Sequence, residues 1–264
     1  MLAIDKEKLS LLKETIKEYV EKGYKPILFN SFGKDSLAVL SILKENDFPL
    51  DEVVYIEVWF DEEINGEIPL HLDFIYKAEE KLKSLYGVQV KHIKSEKSFK
   101  DYFFTVKQKG KNVGNIYGFP YTMGAWCQSR LKQYAIDAYK KSIKKRIEYV
   151  GINYDEPKRY LSLNKLTNSR SFKVAPLYEL GIEGGGCMSI CRDRGLLSPI
   201  YEVSTQTRAG CWFCPKQPVR SLKFIYDNYP ELWNKLLELE KFSPVDFKAA
   251  NRTLDYFTRR FKQC

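Results

Sequence analysis

Short apolar runs alternate with amphipathic stretches along the first 150 residues of the chain. The runs are rich in β-branched and aromatic residues, as in Val53-Val54-Tyr55, and are typical of buried strands. In the stretches between them, leucine, isoleucine and valine recur at helical spacing. The pattern predicts strands at residues 27–29, 53–59, 88–92 and 147–152, and helices at residues 5–22, 37–43, 69–85 and 99–106. Alternating strands and helices predict an α/β fold, a doubly wound parallel sheet of about five strands.

The pattern changes after residue 107. Residues 107–125 are rich in glycine and aromatic residues and predict a long loop. Its Tyr117, Phe119 and Tyr121 would either stack on a substrate base or pack against the protein. Further helices are predicted from residue 126 to about residue 145, at 221–229 and at 230–239. We expect an α/β domain at residues 1–175 and a helical, cysteine-containing C-terminal region at residues 176–264.

The loop between the first strand and the second helix, Ser31-Phe32-Gly33-Lys34-Asp35-Ser36, has the residues of an anion site. A strand followed at once by a helix places backbone N–H groups and the positive helix N-terminus around one point. Gly33 would let the backbone approach the anion, and Lys34 adds a positive charge. The hydroxyl groups of Ser31 and Ser36 can donate hydrogen bonds. The spacing differs from that of the P-loop, which has four residues between its first glycine and the Gly-Lys pair.

The chain is basic, with 43 Lys and Arg residues against 34 Asp and Glu residues and a formal net charge of +9. This charge favours an acidic partner, and we expect nucleic acid, with ATP drawing on part of the same charge. No apolar stretch approaches the length of a membrane span, and the first residues lack a secretory signal. We therefore expect a cytoplasmic protein without membrane contact, and a homo-oligomer is compatible with this composition.

Six cysteines and only two histidines indicate that any metal site is built from thiolates. Two residues separate Cys211 from Cys214, a spacing that lets one tight turn bring both thiolates to a single metal centre. Two completions of this site remain open. Cys187 and Cys191, one helical turn apart, would complete a local four-thiolate zinc site. Alternatively, Cys127 and Cys191 join the pair around a 4Fe-4S cluster.

Residues 31–36 resemble the pyrophosphate loop, Ser-x-Gly-x-Asp-Ser, of the ATP pyrophosphatases and the PAPS reductase family. Three further segments resemble this family in the same order. Residues 126–132 are similar to the Cys-x-x-x-x-Lys segment of its iron–sulfur members and to the Trp-Cys-Thr segment of its phosphorothioation and phage relatives. Residues 151–159 resemble its Gly-x-x-x-x-Glu-x-x-Arg loop. Residues 191–214 resemble its Cys-x-x-x-Gly, Tyr and Cys-x-x-Cys-Pro pattern.

The resemblance implies an adenine nucleotide α-hydrolase-like (HUP-type) fold that binds ATP and Mg²⁺. It implies nucleotide binding by Gly151 and by the loop residues Ser31, Phe32, Gly33, Lys34, Asp35 and Ser36. It implies catalytic roles for Lys34, for Asp35 near Mg²⁺, and for Arg159 facing phosphate or sulfate oxygens. The end of the second strand should lie beside the loop, so backbone groups of Glu57 and Val58 are candidates to meet adenine.

The resemblance also favours a 4Fe-4S cluster over zinc, because Cys187 has no obvious counterpart in the family pattern. The ligands that it implies are Cys127, Cys191, Cys211 and Cys214. The basic cluster at residues 140–146 would either track a phosphate backbone or form a solvated helix face.

The implied reaction is adenylation, in which a substrate oxygen attacks the α-phosphate of ATP, pyrophosphate leaves, and a nucleophile later displaces AMP. A thiolate-bound cluster predicts sulfur as that nucleophile, supplied by sulfide or a sulfur donor protein, with nucleic acid or a nucleobase-type substrate as acceptor. One alternative is a sulfonucleotide (APS or PAPS) reductase that uses Cys264 or another thiol. Another is a zinc-stabilised nucleic-acid-binding module with an inert nucleotide site.

Overall fold

The computed structural model describes residues 5–110, 112–163, 170–203, 209–248 and 251–263. Within these ranges, the strands of the sheet are β1 Lys25–Phe29, β2 Glu52–Glu57, β3 Val90–Lys94, β4 Arg146–Tyr149 and β5 Ser171–Val174. Their order is β3-β2-β1-β4-β5. The pairs β1–β2, β1–β4 and β4–β5 are parallel. The predicted parallel α/β sheet is confirmed, and β5 is a strand that the apolar pattern did not locate.

The strand order places β1 in the middle of the sheet. The chain passes from β1 to β2 on one side, whereas β4 pairs with β1 on the other side. Strand order therefore reverses between β1 and β4, and ligands of doubly wound sheets bind at such a switch point, beyond the carboxyl ends of the strands. The segments that follow β1 and β4 contain residues 30–33 and 150–156.

The described helices include α5, which ends before the predicted residue 145. They are α1 Lys6–Glu21, α2 Lys34–Glu45, α3 Pro69–Tyr86, α4 Phe99–Phe104, α5 Tyr134–Lys140, α6 Pro157–Leu163, α7 Pro176–Glu179, α8 Gly184–Asp193, α9 Ile200–Val203, α10 Val219–Asn228, α11 Pro230–Glu240 and α12 Leu254–Lys262. A π-helical turn, Gln128–Gln133, leads into α5. The helix predicted to reach residue 145 ends at Lys140, because the chain must turn before it extends as β4. None of the described helices is both long and apolar enough to cross a membrane.

The chain divides into two compact units. Unit 1 contains residues 1–56, 73–93 and 138–198, and unit 2 contains residues 57–72, 94–137 and 199–264. Each unit has its own core of buried apolar side chains. The boundary predicted after residue 175 falls inside the last segment of unit 1.

The core of unit 1 surrounds α2. All eight residues from Ser36 to Leu43 are buried and six of them are apolar, so this helix lacks the solvent-exposed polar face that an amphipathic stretch predicts. Helix α2 contacts β1, α7 and α8. At the edge of this core, Asp5 caps the start of α1, and its Oδ1 accepts hydrogen bonds from the backbone N–H groups of Glu7 and Lys8. The core therefore holds α2, whose first turn begins inside the predicted anion loop.

A buried carboxylate in β4 engages part of the predicted basic cluster. Glu148 is 3% exposed and accepts hydrogen bonds from Lys140 Nζ at 2.7 Å and Arg146 Nε at 2.5 Å. Burial raises the pKa of Glu148, but these two cations outweigh burial and hold that pKa below its ordinary value. Lys145 Nζ donates to the carbonyl of Lys22, after the last turn of α1. Part of the cluster at residues 140–146 therefore stabilises the fold of unit 1.

The core of unit 2 is aromatic, with fully buried side chains that include Trp212, Trp233 and Phe99. Phe119, from the glycine-rich loop, belongs to this core and lies with its ring 5.2 Å from that of Phe103. Packing is therefore the role of Phe119, whereas Tyr121 in the same loop is 53% exposed.

Candidate functional site

The phosphate loop, residues 31–36, is tied together by its own hydroxyl groups. Ser36 Oγ donates to the carbonyl of Gly33 at 3.0 Å and accepts from the backbone N–H of Ser31 at 3.2 Å. Ser31 Oγ lies 3.2 Å from Ser36 Oγ. The two serines thus hold the turn from β1 into α2. The first-turn N–H groups of α2, which a helix cannot pair within itself, point toward its N-terminus.

Phe32 has a left-handed backbone conformation with φ +55°. Its side chain is fully buried, and its ring meets that of Tyr55 edge to face at 5.1 Å. Phe32 therefore shapes the loop from within, and its backbone N–H donates to Asn30 Oδ1 at 3.0 Å. Gly33 has φ −76° and ψ 157°, an ordinary extended conformation, and its predicted close approach to an anion stays a prediction.

A charged group lies at the start of α2. Lys34 Nζ is 2.6 Å from Asp35 Oδ1, and both side chains are partly exposed. Asn153 Nδ2 donates to the same carboxylate at 3.1 Å. Asn153 belongs to the segment after β4, and sequence analysis did not single it out, although it stands inside the Gly-x-x-x-x-Glu-x-x-Arg motif. The loops that follow β1 and β4 therefore meet at Asp35.

Gly151 is the point of closest approach between these two loops. A Cβ atom added there would lie 3.2 Å from Ser36 N and 3.3 Å from the carbonyl carbon of Asp35, both backbone atoms. Glycine at position 151 thus lets the two loops pack together. Its predicted contact with the nucleotide stays a prediction.

Helix α8 joins this group of unit 1 residues through its cysteines. Cys191 Sγ donates to the carbonyl of Lys34 at 3.2 Å, and Cys187 donates to the carboxylate of Asp35. Burial and the negative charge of Asp35 raise the pKa of both thiols, that of Cys191 to about 12. Both groups are therefore neutral hydrogen-bond donors in this structure. The predicted role of Cys191 as a cluster ligand stays a prediction.

Arg159 lies in α6, at the surface of unit 1. Its Nη1 donates to both carboxylate oxygens of Glu156, at 2.6 and 2.7 Å, and its side chain is 61% exposed. The guanidinium group therefore retains donors for a phosphate, as the family resemblance predicts for this position.

Glu57 and Val58, the predicted adenine contacts, lie at the start of unit 2. Glu57 Oε2 accepts a hydrogen bond from Trp59 Nε1 at 2.6 Å. The carbonyl of Val58 accepts from the backbone N–H of Gly66 at 2.7 Å. One lone pair of that carbonyl is therefore already used, and their contact with adenine remains a prediction.

Unit 2 contains a cavity of about 610 Å³ lined by three of the predicted metal ligands. We call it the cysteine cavity; its walls include Cys127, Cys211, Cys214, Lys132, Val58 and Phe213. Cys127 stands at the start of the π-helical turn. Cys211 forms an isolated antiparallel bridge with Glu67. The structure thus brings Cys127 to the turn that carries Cys211 and Cys214, which lies far from it in sequence.

The thiols of this cavity are half-buried and close enough to affect one another. Burial raises the pKa of Cys127 to about 11, and the neighbouring Cys214 adds to the shift. Burial raises the pKa of Cys211 further, although the Lys132 ammonium opposes this. Burial lowers the pKa of Lys132 in turn, but Cys211 and Glu67 outweigh burial and raise it. The cavity therefore holds the Lys132 ammonium beside thiols that stay protonated at neutral pH in the absence of a bound metal.

Lys248 fixes the turn that carries Cys214. Its Nζ donates to the carbonyls of Pro215 at 2.7 Å and Gln217 at 2.5 Å. The Gln217 amide in turn donates to the carbonyl of Cys211 at 2.5 Å. Sequence analysis did not single out Lys248, because only the folded chain brings it to the Cys-x-x-Cys turn.

The donor set of the cysteine cavity is of the kind that holds iron–sulfur clusters or zinc, since three thiols interact around one cavity. Among the described residues, no three His, Cys, Asp or Glu side chains are grouped closely enough to hold a single metal ion. Cys264, the candidate nucleophile of the reductase alternative, lies outside the described residues.

The chain is similar to known proteins in its three-dimensional structure and not in its sequence. No family model matches the chain, and no curated protein matches it in sequence. The chain is similar to PAPS reductase from Candida auris, with a TM-score of 0.44, 11% identity and coverage of 76% of this chain and 93% of that chain. It is also similar to the U34-tRNA thiolase NcsA from Methanococcus maripaludis with its 4Fe-4S cluster. That match has a TM-score of 0.46 and 18% identity, and covers 98% of this chain and 77% of that chain.

The first of these proteins is a PAPS reductase, the family that residues 31–36 resemble.

Proposed function

We propose that this protein is an ATP-dependent adenylating enzyme that releases pyrophosphate from ATP and serves sulfur transfer to a nucleic-acid or nucleobase-type substrate. The observation that carries the proposal is the phosphate loop at the switch point of the sheet. Its serine hydroxyls fix the turn, Lys34 and Asp35 stand at the start of α2, and Asn153 bonds Asp35. This arrangement suits a polyphosphate with a bound divalent cation.

In the proposed reaction, an acceptor oxygen attacks the α-phosphorus of ATP. The bond from that phosphorus to the bridging oxygen breaks, and pyrophosphate leaves with the electron pair. Lys34 and the N–H groups at the start of α2 would neutralise charge on the leaving pyrophosphate. Asp35 would hold Mg²⁺, and Arg159 would add donors to a phosphate. A sulfur nucleophile then displaces AMP from the adenylated acceptor.

The cysteine cavity supplies the sulfur side of the proposal. Cys127, Cys211 and Cys214 would hold a 4Fe-4S cluster, with Cys191 as the fourth ligand that the family resemblance implies. Such a cluster, when held by the three cavity thiolates alone, would have one iron open to a sulfur atom from sulfide or a donor protein, whereas Cys191 as a fourth ligand would close that position until it is displaced. Lys132, the cation at the cavity wall, would offset the negative charge of the thiolates.

A nucleic-acid acceptor is supported by charge. The formal net charge is +9, and ATP with Mg²⁺ accounts for only part of the anion that such a chain attracts. Lys216, an exposed residue, also lines the cysteine cavity. A polyanion at the cavity mouth would therefore meet positive charge.

The test is release of AMP and pyrophosphate from ATP and Mg²⁺, with total cellular RNA as acceptor, for wild-type protein and Asp35→Asn. We expect the variant to lose about 100-fold or more in rate, since it lacks the carboxylate proposed to hold Mg²⁺. Asp47→Asn is the matched control, because Asp47 follows α2 with φ +52°, a conformation that asparagine also tolerates. It should release pyrophosphate at the wild-type rate.

Two results would contradict the proposal. One is pyrophosphate release by Asp35→Asn at the wild-type rate. The other is release of sulfite from APS or PAPS by a protein that forms no AMP from ATP, which would establish the reductase instead.

A further inference from the structure

The residue before the phosphate loop, Asn30, is a fully buried polar side chain. Its backbone N–H donates to the carbonyl of Val54 in β2 at 2.8 Å, which fixes it at the end of β1. Its side-chain Oδ1 accepts the backbone N–H of Phe32 at 3.0 Å. Its Nδ2 has no hydrogen-bond partner within the ranges that the structure describes. Burying an amide donor without a partner is unfavourable, so packing alone would favour an apolar residue at this position.

Asn30 bonds Phe32, the residue of the loop with the least favourable backbone conformation. Phe32 has φ +55°, a region that a bulky side chain rarely adopts. Its ring is anchored in the core against Tyr55, so the strain must be offset by local bonds. The bond from Phe32 N–H to Asn30 Oδ1 spans two residues, the asparagine turn that stabilises such bends.

We propose that Asn30 is a positioning residue for nucleotide binding, because it holds residue 32 in the left-handed conformation that shapes the phosphate loop. This inference rests on the proposed function of the same loop. The backbone N–H of Gly33 donates to Ser31 Oγ at 3.4 Å, and the conformation at residue 32 sets the direction in which the residues at the start of α2 present their own N–H groups. A loop that relaxed at Phe32 would turn those groups away from one another, and the pyrophosphate end of ATP would lose donors.

The experiment measures the effect of Asn30→Ala on binding in three backgrounds: wild-type Phe32, Phe32→Gly and Phe32→Ala. The probes are ATP with Mg²⁺ and inorganic pyrophosphate, and calorimetry gives the dissociation constants. Glycine adopts the left-handed conformation freely and alanine does not, although both remove the ring. We expect Asn30→Ala to weaken binding about tenfold when position 32 holds phenylalanine or alanine, and less than about twofold when it holds glycine.

Ser41→Ala is the control for loss of a buried polar group in the same unit. Ser41 is fully buried and bonds the carbonyl of Leu37, and it makes no bond to the phosphate loop. It should leave both dissociation constants unchanged. If Asn30→Ala does not fold, Asn30→Ser replaces it, since the serine hydroxyl forms the same turn more weakly and should give an intermediate loss.

The inference is overturned if Asn30→Ala has the same effect with glycine and with alanine at position 32, or has no effect with Phe32. Wild-type protein that binds ATP but releases no pyrophosphate would refute the proposed adenylation alone, and the binding series would still decide the role of Asn30. Wild-type protein that binds neither probe overturns both.

Discussion

The phosphate loop and the cysteine cavity differ in how far the protein completes each site by itself. In the loop, the hydroxyls of Ser31 and Ser36 bond within the turn, and Lys34 pairs with Asp35. Its charges and hydrogen-bonding groups therefore largely have partners before a ligand binds. In the cavity, burial keeps the thiols of Cys127 and Cys211 protonated. The loop is shaped by its internal hydrogen bonds, whereas the thiols of the cavity would lose their protons only when a metal or cluster binds.

This difference has an energetic meaning. A preformed loop binds an anion with little reorganisation, so its strength depends on geometry. A cavity of protonated thiols must release protons when it binds a metal, so its affinity depends steeply on pH and on the number of thiols. Changes in the cavity should therefore have larger effects on cofactor content than changes in the loop have on nucleotide binding.

The largest expected effect is on the cluster itself. Wild-type protein purified without oxygen should contain about four irons and four sulfides per chain, with a broad brown absorbance. Serine substitution at Cys127, Cys211 or Cys214 should reduce iron to fewer than about one per chain, because each change removes a thiolate. Iron, zinc and acid-labile sulfide analysis measures this directly.

Iron content also tests whether Cys191 is the fourth ligand. Cys191→Ser should lose iron if the family resemblance assigns its role correctly, and should keep iron if its bond to the Lys34 carbonyl is its whole role. Cys187→Ser is the matched control, a buried thiol of the same helix, and should keep the cluster. One zinc and no sulfide in the wild-type protein would instead contradict the cluster.

The second effect concerns the protonation of Cys127 in metal-free protein. Its pKa is raised from 9.0 to about 11, which lowers the thiolate fraction at neutral pH about 100-fold relative to an ordinary thiol. Alkylation by iodoacetamide should therefore be slow at pH 7 and rise about tenfold per pH unit up to about pH 11. Peptide mass spectrometry at several pH values follows it, and a plateau near pH 9 would show that the thiol is not perturbed.

The sequence predicted the loop more fully than the cavity, for a physical reason. Residues 31–36 are adjacent, and a strand followed by a helix fixes their geometry locally. The cavity depends on residues that lie far apart in sequence, and nothing local to Lys248 indicates that its ammonium reaches the carbonyls of Pro215 and Gln217. Asn153 and Asn30 were also missed, because an asparagine beside a turn is common and its partner is visible only in the folded chain.

A smaller effect is expected from Lys248→Met, which keeps the apolar stem and removes the ammonium. Two bonds to the Cys-x-x-Cys turn are lost, at a cost of about 1–3 kcal/mol in the free energy of unfolding. We expect a chelator to remove iron about tenfold faster, since the turn opens more often. Lys241→Met, at an exposed lysine of the same unit, is the control. Equal rates of iron loss in the two variants would refute the positioning role of Lys248.

The smallest effects should come from the ion pair at the surface of unit 1. Glu156→Gln and Arg159→Ala should each change the free energy of unfolding by less than about 0.5 kcal/mol, because the pair is solvent-exposed. Their kinetics should differ. Arg159→Ala should lower kcat/KM for pyrophosphate release about fivefold, since it removes a phosphate donor, whereas Glu156→Gln leaves the guanidinium in place and should change it less than about twofold. Equal kinetics in both variants would show that Arg159 only pairs with Glu156, and that the phosphate loop acts without it.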